Sequence, residues 1–140
     1  MFRPDSPRVM IPSGALHAMV ARAYETFPEE CCGLLIGERT AGRVARFVPI
    51  TNVAASAKLY TIDPKEHLRT ELAAEAEGLE VIGVVHSHTH TEPYPSPTDV
   101  NQAPDPGWHY VIVGLKRGAA ESRSYLIVDG GITEEMIVPV

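Results

Sequence analysis

Two short runs of uninterrupted apolar residues, Cys32 to Ile36 and Val81 to Val85, constrain this chain more than any other feature. Each is too short for a helix and suits a strand buried on both faces. Such strands need cover on two sides, and the sequence supplies it. Leu16, Met19, Val20, Ala23, Tyr24 and Phe27 repeat at the spacing of one helical face, with Ser13 as cap and Pro28 as terminator. A second helix is predicted from Asp63 as N-cap, Pro64 at the first position and Glu66 just inside. It runs to about Gly78 with Leu68, Leu72 and Ala76 inward.

The remaining strands are predicted from short β-branched and aromatic runs between turns: Val9 to Ile11, Val44 to Ile50 after the turn at Thr40 to Arg43, and Leu59 to Ile62. Three more follow, Trp108 to Gly114, Ser122 to Val128 and Ile132 to Val138, separated by turns at Gly118 and Gly130-Gly131. Strands interleaved with two long helices give an α/β (α+β) fold, a helix–sheet–helix sandwich around a mixed central sheet. With 140 residues and no internal repeat or linker, the expectation is a single domain over residues 1–140.

The 12 basic and 18 acidic residues leave a net charge of −6. That balance argues against nonspecific binding to nucleic acid or anionic lipid, both of which need a basic face. Cys31 and Cys32 are adjacent, so they cannot close a framework disulfide, and packing at a strand start is their expected role. No apolar run approaches a membrane span, and prolines interrupt the N-terminal stretch where a signal peptide needs apolar residues. The chain reads as soluble and cytoplasmic. Its 12 prolines, against about 7 at average usage, predict long rigid loops.

The chemistry is concentrated after the second apolar run, in HSHTHTEPYPSPTD. His86 and His88 stand at i and i+2 of a strand, on one face and about 6.6 Å apart along it. Two imidazoles so placed can converge on one ion, and strand ends of this kind are where α/β sheets bind ligands. A catalytic metal site wants a third ligand, for which Asp99 and His90 are the candidates. Ser96-Pro97-Thr98-Asp99 reads as a helix start, a rigid element able to bring Asp99 back over the strand end. His90 lies on an extending strand that runs away from the ion, so Asp99 is favoured. An isolated H-x-H pair is common, and Ser96 and Asp99 alone are explained by helix capping. The joint spacing, H-x-H-x7-S-x2-D preceded by Glu30 and Cys32-Gly33, carries the weight.

Pro28 to Gly33 together with His86-Ser87-His88, Ser96 and Asp99 resembles the signature of the JAMM (MPN-plus) zinc metalloproteases. The similarity spans nearly the whole chain and is to the bacterial branch. Within it, TEPYPSPTDV, HYVIV and SRSYLIVDG look like the peptidases that act on a sulfur-carrier protein bearing a C-terminal cysteine. The resemblance implies the JAMM/MPN, cytidine-deaminase-like architecture and one zinc per chain held by His86, His88 and Asp99. A water would take the fourth place, its pKa lowered from 15.7 to about 7. Glu30 would hold that water and move its proton, and Ser96 would hydrogen-bond the oxyanion. The implied substrate is an amide at the Gly-Gly end of a small ubiquitin-like or sulfur-carrier protein, and the implied pathway is cysteine biosynthesis.

Many members carry proline after the second histidine, where Thr89-His90 stands here. The large insertions with which eukaryotic deubiquitinases grip ubiquitin are missing, so polyubiquitin cleavage is not expected. Tyr94, His90 and Trp108 are candidate substrate contacts, although aromatic residues at such positions also pack cores and loops. His17 and His67 are expected on helix surfaces. The competing reading is a noncatalytic MPN-type binding module, which the intact set Glu30, His86, His88, Ser96 and Asp99 opposes. A zinc deaminase would need H-x-E followed by P-C-x-x-C, and that combined signature does not occur.

Overall fold

A computed structural model describes Phe2 and residues 5–140. The continuous apolar runs form neighbouring strands at the middle of the sheet. These are β2 (Cys32–Glu38) and β4 (Glu80–His88), and they pair antiparallel with Cys32 opposite His86. The hairpin partner of β2 is β3 (Arg43–Ile50), also antiparallel. On its other side β4 runs parallel to β5 (His109–Gly114). From there β6 (Glu121–Val128) and β7 (Gly131–Pro139) continue as antiparallel neighbours. The short first strand, β1 (Arg8–Ile11), pairs in parallel with both β3 and β7, so the mixed seven-stranded sheet closes on itself.

Among the described residues three helices flank the sheet: α1 (Ser13–Thr26), α2 (Pro64–Ala76) and the short α3 (Pro97–Asn101). One apolar cluster joins Met19 and Ala23 of α1 to Leu35, Ile82, Val85 and Val111. The other joins Ala74 of α2 to Leu34, Ile36, Val84 and Ile112. The sheet is thus covered on both sides, as a helix–sheet–helix sandwich requires. Ile82 has no partner between the pairs Leu35–Gly83 and Ile36–Val81, a bulge that resets the alternation of β4. Past the bulge, Val84, His86 and His88 share one face.

Four local expectations change. Pro12, not Ser13, is the residue before α1, and no side chain caps that end. The fixed φ of proline sets the entry of the chain without a hydroxyl. Tyr24 and Phe27, assigned to the inner face of α1, are about half exposed. Leu68 and Leu72, predicted inward on α2, are each 56% exposed, and Ala76 is exposed too. The inner face consists instead of His67, Thr70, Glu71 and Ala74, which keeps helical spacing with polar residues. Residues 59–62 make an isolated bridge, Ile62 to Asn52, rather than a strand. The start of α2 is as read: the Asp63 carboxylate accepts from the N–H groups of Lys65 and Glu66 at 2.9 and 3.2 Å.

Candidate metal centre

β4 ends in His86-Ser87-His88, and its central place in the sheet buries all three side chains. Ser87 points to the opposite face, where its Oγ accepts from the Cys31 N–H at 2.7 Å. That bond fastens the segment before β2 to β4. Because Cys32 pairs with His86 in antiparallel register, Glu30 lies alongside His88. The third component comes from α3, which begins with a full capping box. Ser96 Oγ accepts from the Asp99 N–H at 3.1 Å, and the Asp99 carboxylate accepts from the Ser96 N–H at 2.9 Å. The cap thereby turns the Asp99 carboxylate toward the strand end.

Three donor atoms converge. The Nε2 atoms of His86 and His88 are 3.2 Å apart, and Asp99 Oδ2 is 3.2 Å from the first and 3.0 Å from the second. Asp99 is 9% exposed and both histidines less. His88 Nδ1 lies 2.7 Å from the carbonyl oxygen of Glu92, which can only accept. Nδ1 therefore carries a proton, and whenever the ring is neutral Nε2 turns a bare lone pair toward the carboxylate. Acceptor faces acceptor at hydrogen-bond distance, an arrangement that needs a cation or a proton between them. Among the described residues, His86, His88 and Asp99 form the group whose donor atoms could hold a metal ion. Two imidazoles and one carboxylate are also the donor types of three-ligand catalytic sites.

Without an ion the titrations reflect the same conflict. Burial opposes the imidazolium of His88, but its contacts with Asp99, the Glu92 carbonyl and the charge of Glu30 outweigh it, and the pKa rises. Burial dominates at His86 and lowers its pKa. Burial also works against ionised Asp99, yet hydrogen bonds from His86 and His88 and the Ser96 N–H hold its pKa far below the usual carboxylate range. Glu30 is 4% exposed, and burial pushes its pKa up to about 8. Its Oε1 and the Nδ1 of His86 are buried without a hydrogen-bond partner among the described residues. A buried carboxylate with an unsatisfied oxygen beside three converging donor atoms marks a place for chemistry.

The other sequence candidates fall around this centre. His90 is exposed, with Nδ1 2.8 Å from Thr89 Oγ1 and its ring near Phe27, and it takes no place among the ligands. Tyr94 is half exposed and packs edge-on against Tyr125. Trp108 is buried and lines a cavity of about 290 Å³ together with Tyr60, Ile62, His67 and Val84. His67 is half-buried with its ring 6.0 Å from that of Trp108, whereas His17 is exposed as expected. Cys31 and Cys32 are buried and free, and burial raises both thiols, Cys32 to about 12, so they pack as thiols.

Sequence reasoning passed over Tyr60, whose ring stacks on His86 with centroids 4.3 Å apart. Its place three residues before the α2 cap, Asp63, gave no sign of this. It also passed over the Glu92 carbonyl, a backbone group that no side-chain pattern can announce.

The model of prokaryotic homologs of the JAB domain, Prok-JAB, matches residues 12–128, a span that includes β2, β4, α3 and every candidate ligand. The chain belongs to the Prok-JAB family. The JAMM resemblance drawn from the spaced motif therefore holds. A Mycobacterium tuberculosis relative named CysO-cysteine peptidase is 41% identical over 130 residues, covering 92% of this chain and 89% of its own. A Haloferax volcanii relative named desampylase is 35% identical over 112 residues, 76% of this chain and 81% of its own. The solution structure of a Desulfitobacterium hafniense protein superposes with a TM-score of 0.86 at 31% identity, over 94% of this chain and 92% of that one. Among the described residues no helix is long and apolar enough to cross a membrane.

Proposed function

We propose that this Prok-JAB protein is a zinc-dependent peptidase. Its substrate is the amide joining the C-terminal Gly-Gly end of a small ubiquitin-like sulfur-carrier protein to the amine it carries, cysteine in the first instance. The observation that carries the reading is the convergence of His86 Nε2, His88 Nε2 and Asp99 Oδ2 within 3.2 Å of one another beside an unsatisfied Glu30. The names of the relatives support the substrate class, since a CysO-cysteine peptidase and a desampylase each match most of this chain.

His86, His88 and Asp99 would hold the ion. Zinc bound there supplies a Lewis acid that makes water nucleophilic at neutral pH. Glu30 takes the proton from the attacking water and returns it to the leaving amine. Burial raises its pKa to about 8, and a divalent cation beside it would pull the pKa down again, which suits a group that must both accept and release a proton. The Ser96 hydroxyl accepts from Asp99 N–H and has its own proton uncommitted among the described residues, so it can donate to the oxyanion of the tetrahedral intermediate.

Residues 59–62 supply a docking edge. Leu59 and Thr61 turn their peptide groups toward Asn52 and Val53. Tyr60 and Ile62, on the opposite edge, leave theirs without a partner among the described residues, one step from His86. An extended carrier tail can add there as a strand. The cavity walled by Trp108 then accepts a side chain further along the tail, and His90 and Tyr94 are the exposed groups left to meet the carrier body. A reducing, cytoplasmic setting suits the two free buried cysteines.

The test is release of cysteine from a carrier–cysteine adduct by the purified protein, with zinc and with chelator. Release that chelator abolishes and zinc restores is expected. No release under either condition contradicts the assignment.

A further inference from the structure

The loop between β3 and α2 is organised by one side chain. Its base is closed by the Asp63 N–H donating to the Thr51 carbonyl at 3.3 Å and the Val53 N–H donating to the Thr61 carbonyl at 3.0 Å. Inside that base sits Asn52. Its Nδ2 donates to the carbonyls of Glu30 and Leu59, at 3.0 and 3.1 Å. Its Oδ1 accepts from the N–H groups of Ala54 and Thr61, at 3.1 and 2.9 Å. A primary amide has two N–H donors and two lone pairs, and here all four are spent on backbone.

The two segments so joined are the ones the proposed reaction must bring together. Glu30 lies before β2, outside any strand, and both its peptide groups are bound by this loop. Its N–H donates to the Ser56 carbonyl at 2.8 Å and its carbonyl accepts from Asn52. Leu59 and Thr61 are the residues whose inward hydrogen bonds leave the peptide groups of Tyr60 and Ile62 facing the other way. One carboxamide therefore sets the peptide plane of the proton carrier and the edge along which the tail lies.

We propose that Asn52 is a positioning residue that fixes Glu30 and the tail-docking segment 59–62 relative to one another. The proposal rests on the peptidase reading above and assigns to it the residue that delivers the scissile bond to Glu30. Aspartate is nearly isosteric but puts an acceptor oxygen against the carbonyls of Glu30 and Leu59. Alanine leaves four backbone groups without their partner, and glutamine is one methylene too long. A displacement of about 1 Å between reacting groups costs about 10²-fold in rate.

The experiment compares the zinc-loaded full chain with N52D and N52A in three measurements: zinc content, amide hydrogen exchange, and kcat and KM on the carrier–cysteine adduct. Expected for N52D is one zinc per chain, exchange at least about 10-fold faster at Glu30, Ala54 and Thr61 with β4 unchanged, kcat lower by about 10–100-fold and KM several-fold higher. Should N52A fail to fold, N52D alone decides. A purely structural role would lower the melting temperature and quicken exchange throughout β2 and β4, leaving kcat and KM per zinc-loaded molecule within twofold of wild type, and would overturn the proposal. Unaltered exchange at Glu30 and Thr61 in N52D would overturn it as well. If wild type releases no cysteine, the substrate assignment fails by itself, and the exchange result still decides for or against Asn52.

Discussion

The molecule buries two histidine–carboxylate clusters, and they are built on opposite principles. In the first, two Nε2 atoms and Asp99 Oδ2 crowd together at the end of β4 while Glu30 Oε1 and His86 Nδ1 lack partners. In the second, across β5, β6 and β7, Glu135 Oε2 lies 2.6 Å from His109 Nδ1 and accepts from Ser124 Oγ at 2.8 Å. No buried side-chain atom of this second group is left without a partner. Both hold a carboxylate almost out of water, at 9% exposure for Asp99 and 2% for Glu135. The difference is that one cluster is complete and the other requires something added. Burial of charge alone does not mark a functional site; convergence of acceptors with groups left unsatisfied does.

Four substitutions or conditions sharpen this contrast. The largest effect is expected at Glu30. Glu30→Gln keeps size and removes the proposed proton carrier, so kcat falls about 10²–10⁴-fold while bound zinc stays at one per chain, read by steady-state kinetics and elemental analysis. Ser96→Ala follows, with a loss of about 10²–10³-fold in kcat from removal of the proposed oxyanion donor. It also loses the cap of α3, about 1 kcal/mol, visible as a lower melting temperature with metal retained. At the complete cluster the pattern inverts. His109→Phe leaves the buried Glu135 with Ser124 alone in place of its two partners and destabilises the fold by about 3 kcal/mol, whereas kcat and zinc content per folded molecule stay at wild-type values.

A pH dependence is expected in the metal-free protein, read in stability and not in rate. Glu30 has a folded pKa of about 8 against 4.5 unfolded, so between those values the folded state binds the extra proton. Stability contributed through Glu30 therefore decreases as pH rises from about 4.5 to 8 and is flat above. The slope is at most about 1.4 kcal/mol per pH unit. Chemical denaturation of the chelated protein at pH 5 and pH 8 should show that fall in wild type and a smaller one in Glu30→Gln. Equal pH slopes in the two proteins would remove the buried-carboxylate account.

Much of the first cluster was legible before any coordinates. A continuous apolar strand ending in H-x-H reports its own face through the two-residue period, and Ser-Pro-Thr-Asp reports a helix start that aims its acid inward. What was not legible depends on long-range partners. Leu68 and Leu72 look like an inner helical face, but the sheet meets α2 through His67, Thr70, Glu71 and Ala74, so the apolar pair turns outward. The closure of the sheet rests on β1 pairing with β7, 128 residues later at Met10–Val138, and no local pattern encodes that. Asn52 and the Glu92 carbonyl were invisible for a related reason: each acts on backbone, and a single asparagine or a peptide oxygen has no spacing to read.

The convergence of His86, His88 and Asp99 on one ion is tested most directly by the zinc content of the purified protein and of His88→Ala, by elemental analysis after dialysis. One zinc per chain in the parent and in Glu30→Gln, and none in His88→Ala, is the predicted result. A parent that retains no zinc, or a His88→Ala variant that holds it as tightly, would contradict the account.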